Sequence, residues 1–367
     1  MTRGFGYGSI ALSLCSVTAL GALTACGPED PSAPPVERTA RGLVRADGEI
    51  LIVDGELNFN VDSQGGVIGT GAGERQALMS QVANELANND NLVDSLDAVV
   101  VFTTFDDAGN SADSTSLLLF NDVEGIGLPT PTSEPDPVED LREDYGLQPG
   151  TPLHRRMRNL VYFNQPTLFV EGGGSLDDLN EVEGDFHALV ARRLATRWLF
   201  NASFAEGTNI SDELQGSVAA GDIGANWSNL ADASGSVVGG YDFRDEGGGS
   251  FTNLGTNLGF APLDLYLMGF VGPQNVPDLF LIRDASQMGN PLGPDAEIAE
   301  GATISGERVD VSIAQIIEAM GPRVPASFDF VPYQRVAFVL LTLPGQASQD
   351  YAEEVAFLQE LQRSFPD

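Results

Sequence analysis

The residues able to do acid–base, nucleophilic or metal chemistry are few: two histidines and two cysteines in 367 residues, beside fifty-three carboxylates. A zinc site of the H-E-x-x-H kind needs two imidazoles one helical turn apart, with a glutamate between them as base. His187 opens His187-Ala188-Leu189-Val190-Ala191, which lacks both the base and the second ligand. Arg192, Arg193 and Arg197 follow on the same stretch. Arginine neither ligates a metal nor acts as a base near neutral pH, and clustered cations disfavour Zn2+. His154 precedes Arg155, Arg156 and Arg158 and reads as a basic surface turn, or a docking spot for an acidic partner. Asp242, Asp245 and Glu246, with the glycines that follow, offer oxygen ligands for Ca2+, although their spacing is not that of an EF-hand. A plain acidic turn is the simpler account of them, as it is of Asp106-Asp107 and Asp136. There is no G-x-S-x-G, no C-x-x-C and no phosphate loop. Gly69-x-Gly71-x-Gly73 departs from G-x-G-x-x-G and reads as a glycine loop ahead of a helix.

The stretch that would have to position such chemistry is Asp185–Phe204. Phe186, Leu189, Val190, Leu194, Trp198 and Leu199 recur at helical spacing, so one broad face should enter a core. Asp185 can cap its start, and Glu181 and Glu183 lie just upstream, where negative charge favours a helix N-terminus.

Charge narrows the partners. Fifty-three acids oppose eighteen bases for a net −35, and every base is arginine. Such a surface repels phosphate backbones and anionic head groups, which excludes nucleic acid as a partner. The charge reads as a solvated exterior, with a cation-attracting or calcium-binding surface as the sharper alternative. With 42% apolar residues the chain has a globular composition, and 42 glycines and 21 prolines call for many loops.

The N-terminus reads as an address. Arg3, an apolar run from Ile10 to Leu23, and Leu23-Thr24-Ala25-Cys26 have the parts of a secretory signal. The small residues before Cys26 resemble a bacterial lipobox, which implies cleavage before Cys26 and lipid attachment to it. The run is short for a bilayer span. Cys15 would leave with the signal (1–25), so no disulfide is expected. Residues 26–40 read as the lipidated cysteine and a flexible tether, and 41–367 as one domain.

Within that domain, residues 43–61 hold two Asp-Gly pairs between apolar runs, a hairpin signal. Strands are expected at Leu96–Phe105, Leu117–Phe120, Asn159–Asn164, Leu279–Ile282 and Arg335–Leu343. Helices are expected at Glu74–Leu86, Pro262–Phe270, Ile313–Met320 after the cap Ser312, and Asp350–Phe365. The Pro- and acid-rich 125–150 reads as an insertion loop, and 206–259 as a polar, glycine-rich stretch anchored by Trp227, Tyr241, Phe243 and Phe251. The irregular alternation suits an α+β domain.

Taken together, LDAVVVFTTF, FNDVEGIGLP (Phe120–Pro129), the central helix, Asn226–Thr252, APLDLYLMGF (Ala261–Phe270), Val309–Arg323 and RVAFVLLT resemble secreted zincin-type metallopeptidase-like proteins of Gram-negative bacteria, often lipoproteins. The resemblance covers most of the chain after Cys26. It implies a zincin-like α+β domain with a mixed β-sheet and a central buried helix. Active relatives carry a HELGHRW-like helix. Set by its final Arg-Trp, that pattern falls on Arg192–Trp198 and puts Arg192 at the first ligand, Arg193 at the base and Thr196 at the second ligand. Asp264 stands where a third, carboxylate ligand is expected.

The resemblance therefore implies vestigial metal-site positions, no bound zinc, and an ion pair between Asp264 and Arg192 or Arg193 in place of the metal. The expected protein is a lipid-anchored envelope protein, at the outer membrane because Gly27 rather than Asp follows Cys26. It would be a catalytically inactive homologue that binds a peptide, protein or envelope component. An active hydrolase with a rearranged site and a purely structural lipoprotein are the alternatives.

Overall fold

The computed structural model describes residues 44–47, 50–54, 72–87, 96–106, 114–128, 130, 140–145, 147–170, 176, 185–198, 202–216, 226–257, 259–327, 335–343 and 345–364. In chain order, the first half gives β1 (Val44–Asp47), β2 (Ile50–Asp54), α1 (Ala72–Ala87), β3 (Ala98–Thr103), β4 (Ser114–Leu118), α2 (Pro152–Arg156), β5 (Asn159–Phe163) and α3 (Asp185–Ala195). Next come β6 (Phe204–Glu206), β7 (Asn209–Ser211), β8 (Trp227–Asp232), β9 (Gly239–Gly247), β10 (Ser250–Gly255) and α4 (Pro262–Met268). The last are β11 (Leu279–Gln287), β12 (Asn290–Pro291), β13 (Thr303–Val311), α5 (Ile313–Met320), β14 (Val336–Thr342) and α6 (Ala352–Ser364). The fold is mixed α+β, with sheets and a small closed five-stranded barrel.

The continuous apolar runs become the interior of one sheet, ordered β1-β2-β14-β3-β5-β4. β2, β14, β3 and β5 run parallel, and the edge strands β1 and β4 are antiparallel. Both faces are covered, so both sets of alternating side chains are apolar. Val99, Val101, Val339 and Leu341 meet Met79, Val82 and Leu86 of α1 and Leu153 of α2. Val100, Phe102, Phe163 and Phe338 meet Phe186, Val190 and Leu194 of α3 and Leu358 and Leu361 of α6. Phe102 stacks on Phe163 with ring centroids 4.9 Å apart. Each such side chain, taken from water, stabilises the fold by about 1.5–3 kcal/mol. The connection from β4 to β5 contains the Pro- and acid-rich stretch and joins two adjacent strands of this one sheet.

The second core is the barrel. β8, β9, β10, β13 and β11 follow one another, and β11 closes on β8 through Phe280↔Asp232 and Leu281↔Ala231. Phe243, Phe251, Phe280 and Ile304 fill the core with Tyr266 and Leu267 of α4 and Ile316 of α5. The polar, glycine-rich 206–259 stretch therefore supplies three of the barrel's strands among its described residues. Its strands alternate with charge, as in Tyr241-Asp242-Phe243-Arg244-Asp245-Glu246, and glycines interrupt them where backbones crowd. At Gly240, φ is +75° and a Cβ would lie 2.8 Å from that of Ala233.

α3 joins the two cores. The helix stops at Ala195, short of the Phe204 that its periodicity suggests. Up to Leu194 its apolar face serves the sheet, whereas Ala195 and Trp198 belong to the barrel core. One straight helix face cannot serve both, so Thr196–Trp198 form a turn instead. β4 begins earlier than expected, at Ser114, and β11 runs five residues beyond Ile282, to Gln287.

Candidate functional site

The end of α3 leaves backbone carbonyls that need partners, and side chains of the sheet supply them. Asn159 is fully buried on β5, and its Nδ2 donates to the carbonyls of Leu194 at 3.3 Å and Arg193 at 3.5 Å. Ser116 of β4 donates to Asn159 Oδ1 at 3.0 Å, and the Thr196 hydroxyl bonds to both Ser116 and the Arg193 carbonyl. Arg193 Nε donates to Ser114 Oγ at 3.0 Å. Two of the positions assigned to a lost metal site, Arg193 and Thr196, thus lock the helix to the edge strand β4. Arg192 turns the other way and donates to Asn226, at the start of β8.

Asp264 occupies a different environment. It is the third residue of α4, and its Oδ2 accepts from the Ala261 N–H at 2.6 Å, satisfying one orphan donor of the first turn. Trp227 Nε1 donates to its Oδ1 at 2.6 Å, and Ser236 Oγ donates to its Oδ2. The carboxyl is 0% exposed, and burial pushes it up to about 6 against those three hydrogen bonds. Among the described residues, none of its partners is an arginine. The expected ion pair with Arg192 or Arg193 is therefore corrected. Arg192 donates to Asn226, whereas Asp264 accepts from the neighbouring Trp227.

Near the end of α3 lies a group of arginines. Arg158 and Arg197 share Asp122, at 2.8 and 3.4 Å. Burial pushes Asp122 up, but the hydrogen bond and charge of Arg158 outweigh it and leave the carboxyl below the usual carboxylate range. Arg323, 4% exposed, donates to the carbonyls of Leu267 at 2.9 Å and Met268 at 3.2 Å and so caps the C-terminus of α4. Its guanidinium passes Gly269, whose φ is +89° and whose Cβ, if present, would lie 2.6 Å from Arg323 Cζ.

The calcium candidates do not converge. Asp245 pairs with Arg308 at 3.1 Å, and Glu246 with Arg244 at 2.6 Å. Consecutive strand residues face opposite sides, and Asp242 sits three positions back on β9. Among the described residues no three His, Cys, Asp or Glu side chains come together as a metal site would need. His154 lies in α2 and His187 in α3. Asp106 accepts from Asn164 Nδ2 at 2.9 Å. Cys15, Cys26, Gly69, Gly71, Asp107 and Asp136 fall outside the described residues, and Gly73 lies in α1, which begins at Ala72. Among the described residues no helix is long and apolar enough to cross a membrane.

One feature of the surface was not expected. The β8–β11 ladder ends at Leu281↔Ala231, and beyond it the strands part. β8 takes partners from Leu214 and Pro294, while β11 pairs with β12. The opening is a groove of about 760 Å3 lined by Asp212, Glu213, Leu281, Arg283, Asp284 and Leu292, among others. The sequence marks it only by Arg283-Asp284, where β11 turns from apolar to polar, and by Asp212-Glu213 after a short polar strand.

No known family matches the chain, and neither a characterised protein nor a solved structure matches it.

Proposed function

We propose that this is an exported, lipid-anchored binding protein of zincin-like ancestry that does not hydrolyse peptides. The observation that carries the reading is the state of Asp264: fully buried, with both oxygens engaged by Trp227, Ser236 and Ala261. A carboxylate in that position has no lone pair directed at solvent for a metal or a water. Arg192 and Arg193 bring no metal-binding or basic atom, the neutral hydroxyl of Thr196 is engaged by Ser116 and the Arg193 carbonyl, and together they hold the helix end to β4 and to Asn226 beside β8. These residues do not fit a zinc ion. A mixed sheet with a helix buried against it accords with the zincin-like ancestry, and the lipobox at Cys26 with an anchor at the cell envelope, on the outer membrane.

The test is metal content and peptidase activity of the purified full chain. After exposure to excess zinc and desalting, less than about a tenth of an equivalent should remain, because structural and catalytic zinc sites hold tightly. Stoichiometric zinc, or hydrolysis of casein that a chelator abolishes, would refute the reading.

A further inference from the structure

We propose that the groove between β8 and β11 is a docking site for a basic peptide segment, one that carries lysine or arginine beside an apolar residue. The proposal rests on the reading of the protein as a binder and names its ligand class. Charge argues first. Arg283 is held on β11 by Glu206 through two 2.7 Å bonds and by Glu213 at 2.9 Å, so the one cation among the described lining residues is already committed to two carboxylates. Asp212 and Asp284 add two more acids, so among the described residues the lining holds three carboxylates to one guanidinium, with Glu206 reaching Arg283 from outside it. The walls supply the apolar part, with Leu281, Ala285, Leu292 and Pro294 on the lining.

Two hairpins carry exposed apolar side chains. The β6–β7 hairpin presents Ile210, 66% exposed, and the β11–β12 turn presents Met288, 98% exposed. Met288 holds φ at 51°, a conformation unusual for methionine. An extended thioether adapts readily to a partner's surface. A volume of about 760 Å3 is within the range of roughly 300–1,000 Å3 for small-ligand sites, which suits a few side chains rather than a folded domain.

The assay is fluorescence anisotropy of the full chain with labelled Lys-Leu-Arg-Leu-Lys-Leu, against Glu-Leu-Glu-Leu-Glu-Leu, at low salt. The basic peptide should bind and the acidic one should not. Asp212→Asn with Asp284→Asn should weaken binding by about 25-fold, about fivefold for each charge lost near the ligand. Asn tolerates the φ of 48° at position 284, so the fold should survive. Arg283→Gln frees Glu206 and Glu213 and should tighten binding, whereas a site for anions would lose it. Equal binding of both peptides, no binding up to millimolar peptide, or affinity that both changes leave unaltered overturns the proposal. The last result would mean general attraction to the −35 surface. Cleavage of the probe, read by chromatography of the same samples, would refute the non-catalytic reading without touching the groove. A zinc-free chain that fails to bind refutes the groove alone.

Discussion

Asp264 should make the protein more stable in mild acid than at neutral pH, and a single substitution isolates the effect. Its carboxyl rises from the ordinary 3.8 to about 6 because burial strips its water and no cation replaces it. Between those values the folded chain holds a proton that the unfolded chain has released. Stability from this group is therefore greatest below pH 3.8, falls as pH rises through 3.8 to 6, and is level above that. The gap corresponds to about 3 kcal/mol at 1.36 kcal/mol for each pH unit. Asp264→Asn removes the titration, while its amide keeps one oxygen to accept from Trp227 or Ala261 and can donate to Ser236. Urea unfolding of the two full-length proteins from pH 4 to 7.5 gives the measurement. The difference between wild type and variant should shift by about 2.5 kcal/mol against wild type over that range, since at pH 4 the unfolded chain is already partly ionised. Only the difference matters, because Asp122 and Asp140, both lowered, push the other way in each protein. A difference flat to within about 0.5 kcal/mol would refute the reasoning. It would mean that three hydrogen bonds compensate fully for the lost solvent, and that Asp264 stays ionised without penalty.

Two further substitutions test the positions around it. Thr196→Val removes the hydroxyl that joins Ser116 to the end of α3 and should lower stability by about 1–2 kcal/mol in urea unfolding, with zinc content unchanged. Gly269→Ala meets both a φ of +89° and the Arg323 guanidinium. It should destabilise by about 1–3 kcal/mol, visible as a lower melting temperature.

Legibility in the sequence followed burial. AVVVFT and VAFVLLT could be read because a sheet covered on both faces leaves no polar alternation to dilute the run. Ser312 announced α5, with its hydroxyl accepting from Gln315, and Gly321 ends it. The barrel strands stayed hidden because one side faces water. In LFLIRDASQ the buried half was legible and the charged half was not. The site was less legible still. Asp264 looked like a ligand left without its metal, and its fate depends on Trp227 and Ser236, brought to it from 37 and 28 positions away. No spacing rule carries that information. The same holds for Arg192 and Asn226, 34 apart.

The place of β14 in the chain governs when this protein can fold. It follows the whole barrel in chain order, yet it lies in the middle of the first sheet, with β2 on one side and β3 on the other. The Thr342 hydroxyl reaches the Val53 carbonyl, 289 residues earlier. Until β14 arrives, β2 and β3 have no ladder between them and their apolar faces lack a neighbour. The barrel is encoded wholly inside this gap. Contacts that span so much chain close late and slowly. The first sheet therefore cannot lock until its central strand has been synthesised, whatever the barrel has done by then.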